Sequence, residues 1–143
     1  DELRQPMALK DYASLGEVAE RLRRTNPRLE PGRARWLAAH WARQDDAGRW
    51  QVLGDPAHKR VNPVPYRVDE VLATWRAITA PLLWVEGADT PADTWWQGRY
   101  SRAEFARRLD SVPDCRRETL ADAGHMLHHD QPAALAGLLQ SFL

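Results

Sequence analysis

The sequence predicts an α/β fold in which helices come first and a strand, a helix, a strand and a closing helix of a parallel sheet follow. Three observations carry this reading. Pro81-Leu82-Leu83-Trp84-Val85 is a continuous apolar run ending at Glu86-Gly87, the pattern of a strand buried on both faces. Cys115 to Leu120 is a second strand-like stretch, alternating in part. Around these two lie segments with apolar residues at helical spacing, several opened by a capping signal.

Taken in order, residues 1–12 show no clean period and read as the tail of a preceding element. Ser14 and Glu17 then form an S-x-x-E capping box, and Leu15, Val18, Ala19 and Leu22 follow on one helical face. Pro27 stops that helix, because the residue before a proline is pushed out of the α region. Pro31 suits the first turn of a second helix, with Trp36, Leu37, His40 and Trp41 expected on one face and Arg33, Arg35 and Arg43 outward. Asp45-Asp46-Ala47-Gly48 is a turn, and Trp50 to Leu53 a short extended piece. Pro56, Pro63 and Pro65 make residues 54–66 a loop. Asp69 is expected to cap a third helix that turns Val71, Leu72 and Trp75 inward. Beyond the first strand comes a loop with Pro91 and Asp93. A helix over 101–110 follows, with Ser101 and Glu104 as a second capping box and Phe105 and Leu109 inward. After the second strand, Gln131 or Pro132 opens a last helix carrying Leu135, Leu138, Leu139 and Phe142 on one side. The order divides the chain into a helical region, 1–76, and a β-α-β unit with its closing helix, 77–143.

Composition sets outer bounds. A length of 143 residues suits one domain or a piece of a larger one. Twenty basic residues balance twenty acidic ones with no basic block, which argues against nucleic acid or an anionic membrane as partner. No apolar run approaches the roughly 20 residues of a spanning helix, and the start shows no signal-peptide pattern. Cys115 is the one cysteine, so there is no internal disulfide and no thiolate metal cluster, which fits a reducing cytoplasm. Lys10 and Lys59 are the only lysines among the basic residues, a bias that reads as bacterial codon usage rather than chemistry. The chain has seven tryptophans, Trp36, Trp41, Trp50, Trp75, Trp84, Trp95 and Trp96; most are expected in the core.

Chemistry concentrates in Ala121-Asp122-Ala123-Gly124-His125-Met126-Leu127-His128-His129-Asp130-Gln131-Pro132. A histidine placed by a glycine just past a strand end is well sited as a general base. Together with Ile78-Thr79-Ala80-Pro81-Leu82-Leu83-Trp84-Val85-Glu86-Gly87-Ala88-Asp89, this segment resembles the C-terminal half of an α/β-hydrolase. The first stretch is similar to the family's penultimate core strand and its acid loop. The second is similar to its histidine segment, one helix and one strand later. The resemblance implies that 1–76 is a helical cap or lid and that 77–143 is the C-terminal part of the core. It implies a nucleophile-acid-histidine triad with His125 as base and Asp89 as acid, Asp93 and Glu86 being further candidates. The family's usual acid loop has two residues between glycine and aspartate; here Ala88 alone separates Gly87 from Asp89.

No G-x-S-x-G elbow is present. Ser14 and Ser101 read as helix caps, and Ser111 and Ser141 lie in the wrong context. The nucleophile is therefore expected from a preceding segment or a partner chain, the N-terminal half of the hydrolase. The implied substrate is a small, apolar, ester-like molecule, with Trp36, Trp41 or Trp75 of the lid lining its pocket, and no cofactor. Three alternatives stand beside this. One is an aspartate nucleophile, as in an epoxide hydrolase or dehalogenase-like enzyme. Another is a non-catalytic interaction module, a degenerate half of the fold, whose uncovered sheet edge would require a partner. An unrelated small β-α-β binding domain is a third. His128 and His129 lack an H-E-x-x-H context and read as helix-entry residues, with His129 and Asp130 capping or bracing the last helix, so no metal site is expected. His40 reads as a packed residue. Cys115 has nothing nearby to lower its pKa and is not expected to be a nucleophile.

Overall fold

The computed structural model describes residues 8–60, 62 and 64–143. The readings for residues 1–7, and for Val61 and Pro63 within the loop, fall outside the described residues. The chain forms two compact units, Asp1–Pro65 and Tyr66–Leu143.

The first unit opens on strand β1 (Asp11–Tyr12), a piece of regular structure that the sequence did not signal. Helix α1 (Leu15–Thr25) starts where the capping box places it. Ser14 Oγ accepts from the Glu17 amide at 3.2 Å, and Glu17 Oε2 accepts from the Ala13 amide at 2.9 Å. The helix ends at Asn26, before Pro27. Helix α2 (Pro31–Trp41) is capped by Glu30, whose carboxylate accepts from the Arg33 amide at 3.0 Å. Its inner face differs from the expectation. Ala34, Leu37 and Ala38 are buried, whereas Trp36 is 61% exposed and His40 also faces solvent. The two alanines let α1 and α2 approach closely, and an indole in that seam would hold them apart. Trp36 and His40, one turn apart, stack on each other instead, with ring centroids 4.3 Å apart. Trp41 lies at the edge of the core, 38% exposed.

Two further strands, β2 (Ala42–Gln44) and β3 (Trp50–Val52), form a hairpin through the expected turn. Asp45 Oδ1 accepts from the amides of Ala47 and Arg49, and Gly48 takes φ +76°, the left-handed region glycine enters freely. The sheet order is β1-β3-β2, antiparallel throughout, so this region is not purely helical. Its core joins Tyr12, Val18, Ala19, Leu22, Leu29, Ala34, Leu37, Ala38 and Ala42, with Leu15, Trp50 and Val52 packed against it. The proline loop is ordered in part as a 3-10 turn, Pro56–Lys59, capped by Asp55.

The second unit begins with α3 (Val68–Arg76). Arg67, not Asp69, occupies the cap position and makes no side-chain cap bond. Asp69 lies in the first turn, where its charge favours the positive end of the helix dipole. Val71, Leu72 and Trp75 are its half-buried side. Strands β4 (Leu82–Gly87) and β5 (Cys115–Leu120) pair in parallel, in register from Leu82 opposite Cys115 to Gly87 opposite Leu120. Between them lie α4 (Ala92–Trp96), where the sequence suggested a loop, and α5 (Arg102–Leu109), capped by Ser101 Oγ. A short helix α6 (Leu127–Asp130) precedes α7 (Pro132–Phe142).

The apolar run of β4 was expected to be buried on both faces. Along Leu82–Glu86 it is half-buried, and only Gly87 is closed off. A two-stranded sheet offers too little cover for such a strand. The same holds for α7, where Leu135, Leu138 and Phe142 are half-buried and Leu139 stands exposed rather than with them.

Candidate active site

The site lies where β4 and β5 end. Both loops leaving these strands are locked together through the backbone. The Ala88 amide donates to the Leu120 carbonyl at 2.9 Å, and the Asp89 amide donates to the Ala123 carbonyl at 2.9 Å. Gly87 makes this possible. A Cβ there would collide with the carbonyl oxygens of Ala123 and Gly124 and come within 2.8 Å of the Ala123 carbonyl carbon. The glycine is required by close approach, not by its φ.

The histidine loop has its own supports. Asp122 takes φ +51°, a left-handed conformation that aspartate tolerates better than most residues. Ala123 is fully buried, and the Gly124 amide donates to Asp130 Oδ2 at 2.8 Å. Asp130 therefore braces the loop that carries His125, in addition to ending α6. His129 is buried and its ring lies 4.2 Å from that of His128. Among the described residues no group of three His, Cys, Asp or Glu is placed to hold a metal ion.

His125 stands on the rim of a cavity of about 380 Å³ within this unit. Its imidazole meets the Trp95 indole edge to face, with centroids 4.8 Å apart at 85°. Trp84, Trp96 and Phe105 form the aromatic wall, Phe105 lying 5.0 Å from Trp84 and 5.9 Å from Trp96. Polar groups enter at Glu86, Arg102 and Glu118. Arg102 Nη1 is 3.6 Å from Glu86 Oε1, and its Nη2 donates to the Thr90 carbonyl.

Of the residues expected in the site, His125 and Glu86 share this cavity, and Asp89 is joined by its backbone to the residue two before His125. Asp93 is exposed in the first turn of α4. Trp75 is absent from the wall and reaches it only through Phe105, 6.3 Å away and edge-on. Trp36 and Trp41 belong to the first unit, as described above. Sequence reasoning missed Trp95, Trp96 and Arg102 as site residues. The adjacent Trp95-Trp96 pair, a few residues beyond the acid loop, was the available signal, hidden because the segment was read as a loop.

No curated protein matches the chain. Solved structures do. The thioesterase domain from the curacin biosynthetic pathway is similar at 22% identity and TM-score 0.77, over 99% of this chain and 48% of that one. An esterase from Mycobacterium tuberculosis is similar at 18% identity and TM-score 0.71, over 92% of this chain and 42% of that one. An E-2-(acetamidomethylene)succinate hydrolase is similar at 17% identity and TM-score 0.70, over 94% and 47%. The chain thus spans about half the length of each of these structures. At these identities the likeness speaks for the fold. The model of the alpha/beta hydrolase family matches residues 4–138, nearly the whole sequence, and the chain belongs to that family.

Proposed function

We propose that the chain supplies the acid and the base of a hydrolase acting on a small, apolar, ester-like substrate. The nucleophile comes from a preceding segment or a partner chain. The observation that carries this is the backbone lock between the two strand-end loops, which holds Asp89 and His125 on adjoining loops at the carboxyl ends of parallel strands. In this reading His125 takes the proton from the nucleophile and returns it to the leaving group. Asp89 keeps the imidazole in the working tautomer and offsets its charge once protonated. The aromatic wall of Trp84, Trp95, Trp96 and Phe105 beside His125 favours an apolar acyl or aryl group. Within this unit that gives the substrate-binding role to these four rather than to Trp75. Residues 1–76 act as the lid, and the enzyme works in the cytoplasm, in keeping with its single free cysteine.

The test is ester turnover by the complete assembly that carries the nucleophile, with p-nitrophenyl butyrate as substrate. His125→Ala should cut kcat by roughly 10⁴-fold or more, the scale of losing one triad member, with the unfolding midpoint unchanged. Wild-type turnover in His125→Ala would refute the reading.

A further inference from the structure

Three carboxylates lie in or near the acid loop, Glu86, Asp89 and Asp93, and a triad uses one. Resting on the hydrolase reading above, we infer that Arg102 is the positioning residue of this loop. Its ion pair with Glu86 and its bond to Thr90 tie the strand end to the loop that carries Asp89.

Arg102 is the first residue of α5, and the cap bond from the Glu104 amide to Ser101 Oγ, 3.1 Å, fixes the helix end from which it emerges. The guanidinium is a rigid fork with donors on both prongs. One prong, Nη1, faces Oε1 of Glu86, the penultimate residue of β4, at 3.6 Å. The other, Nη2, donates to the carbonyl of Thr90. Asp89 lies between these anchor points in the chain. The Thr90 carbonyl also accepts from the Ala92 amide at 2.8 Å, and the Thr90 amide donates to the Gly87 carbonyl at 3.1 Å. The loop is therefore a closed turn. The histidine loop holds it on one side, through the Ala88 and Asp89 amides, and Arg102 holds it on the other.

Both side chains of the pair remain more than a third exposed, so the fork adds little to global stability and its effect falls on loop placement. A lysine at this position presents a single ammonium and reaches one anchor but not both.

The experiment compares Arg102→Ala, Arg102→Lys, Glu86→Gln and Asp89→Asn in the complete assembly that carries the nucleophile. Two readouts are used: steady-state turnover of p-nitrophenyl butyrate, and amide hydrogen exchange over residues 87–90. Asp89→Asn should be the most damaging, by roughly 10⁴-fold in kcat. Arg102→Ala should lower kcat by about 10²-fold, the scale of a 1 Å misplacement, with KM little changed and faster exchange in the loop. Arg102→Lys should fall between wild type and Arg102→Ala. Glu86→Gln should cost less than Arg102→Ala, because the amide oxygen still accepts. The inference is overturned if Arg102→Ala leaves kcat and loop exchange at wild-type values, or if Glu86→Gln matches Asp89→Asn. Full turnover in His125→Ala sinks the hydrolase reading instead, and loop exchange in Arg102→Ala then decides the clamp by itself.

Discussion

At the scale of single residues, Gly87 is the tightest constraint in the candidate site. Nothing flexible surrounds it; the obstructing atoms are backbone carbonyls of Ala123 and Gly124. Gly87→Ala is expected to cost about 1–3 kcal/mol, the usual range for overpacking, and to push the two loops apart. Urea unfolding checks the first effect and ester turnover the second. Asp130 is the next constraint. Asp130→Ala removes the acceptor of the Gly124 amide, a charge-assisted bond worth about 1.5–3 kcal/mol, and Asp130→Asn should recover much of the loss. Glu30 gives a pH-dependent case. The backbone amides of Gly32 and Arg33 donate to its carboxylate and hold its carboxyl below the usual range. A lowered folded-state pKa means that this stabilisation is present above the unfolded value, near 4, and is lost as pH falls through the folded value. The urea midpoints of wild type and Glu30→Gln should therefore differ at neutral pH and converge in acid.

At the scale of elements, the helices of this chain were legible where local hydrogen bonding decides them. Both serines cap their helices as the sequence indicates, at Ser14 and Ser101; Glu17 also reaches back to the Ala13 amide, whereas Glu104 pairs with Arg108 instead. Ser14→Ala and Ser101→Ala should each cost about 1 kcal/mol, measurable as a shift in thermal midpoint. The parallel pair β4 and β5 and the loops beyond it were legible too, because an apolar run and a glycine-histidine turn are local patterns. What was hidden depends on partners distant in sequence. Strand β2 has no period of its own and exists because Trp50–Val52 pairs with it across the turn. The inner face of α2 was set by the fit of two alanines against α1, which outweighed the hydrophobicity of Trp36. The short helix α4 brings Trp95 to His125, a contact that no spacing in the sequence encodes.

At the scale of the whole chain, the two units differ in how completely they cover their apolar residues. The first has a contiguous buried core; in the second, strand β4 and the last helix α7 stay half-open. Among the described residues β4 pairs with β5 alone, and its other edge carries no strand. Expressed by itself, the 143-residue chain is expected to self-associate with rising concentration, because an unpaired edge templates further pairing. Sedimentation velocity over a concentration series is the check, and a species that stays monomeric throughout would contradict it. The closed core of the first unit has a consequence for biosynthesis. Every residue in it lies before residue 53, so its contacts are complete once that segment has left the ribosome. It is placed to fold vectorially, ahead of the strands whose loops carry Asp89 and His125. Those loops would then gain protection after the amides of Val18, Leu22 and Leu37.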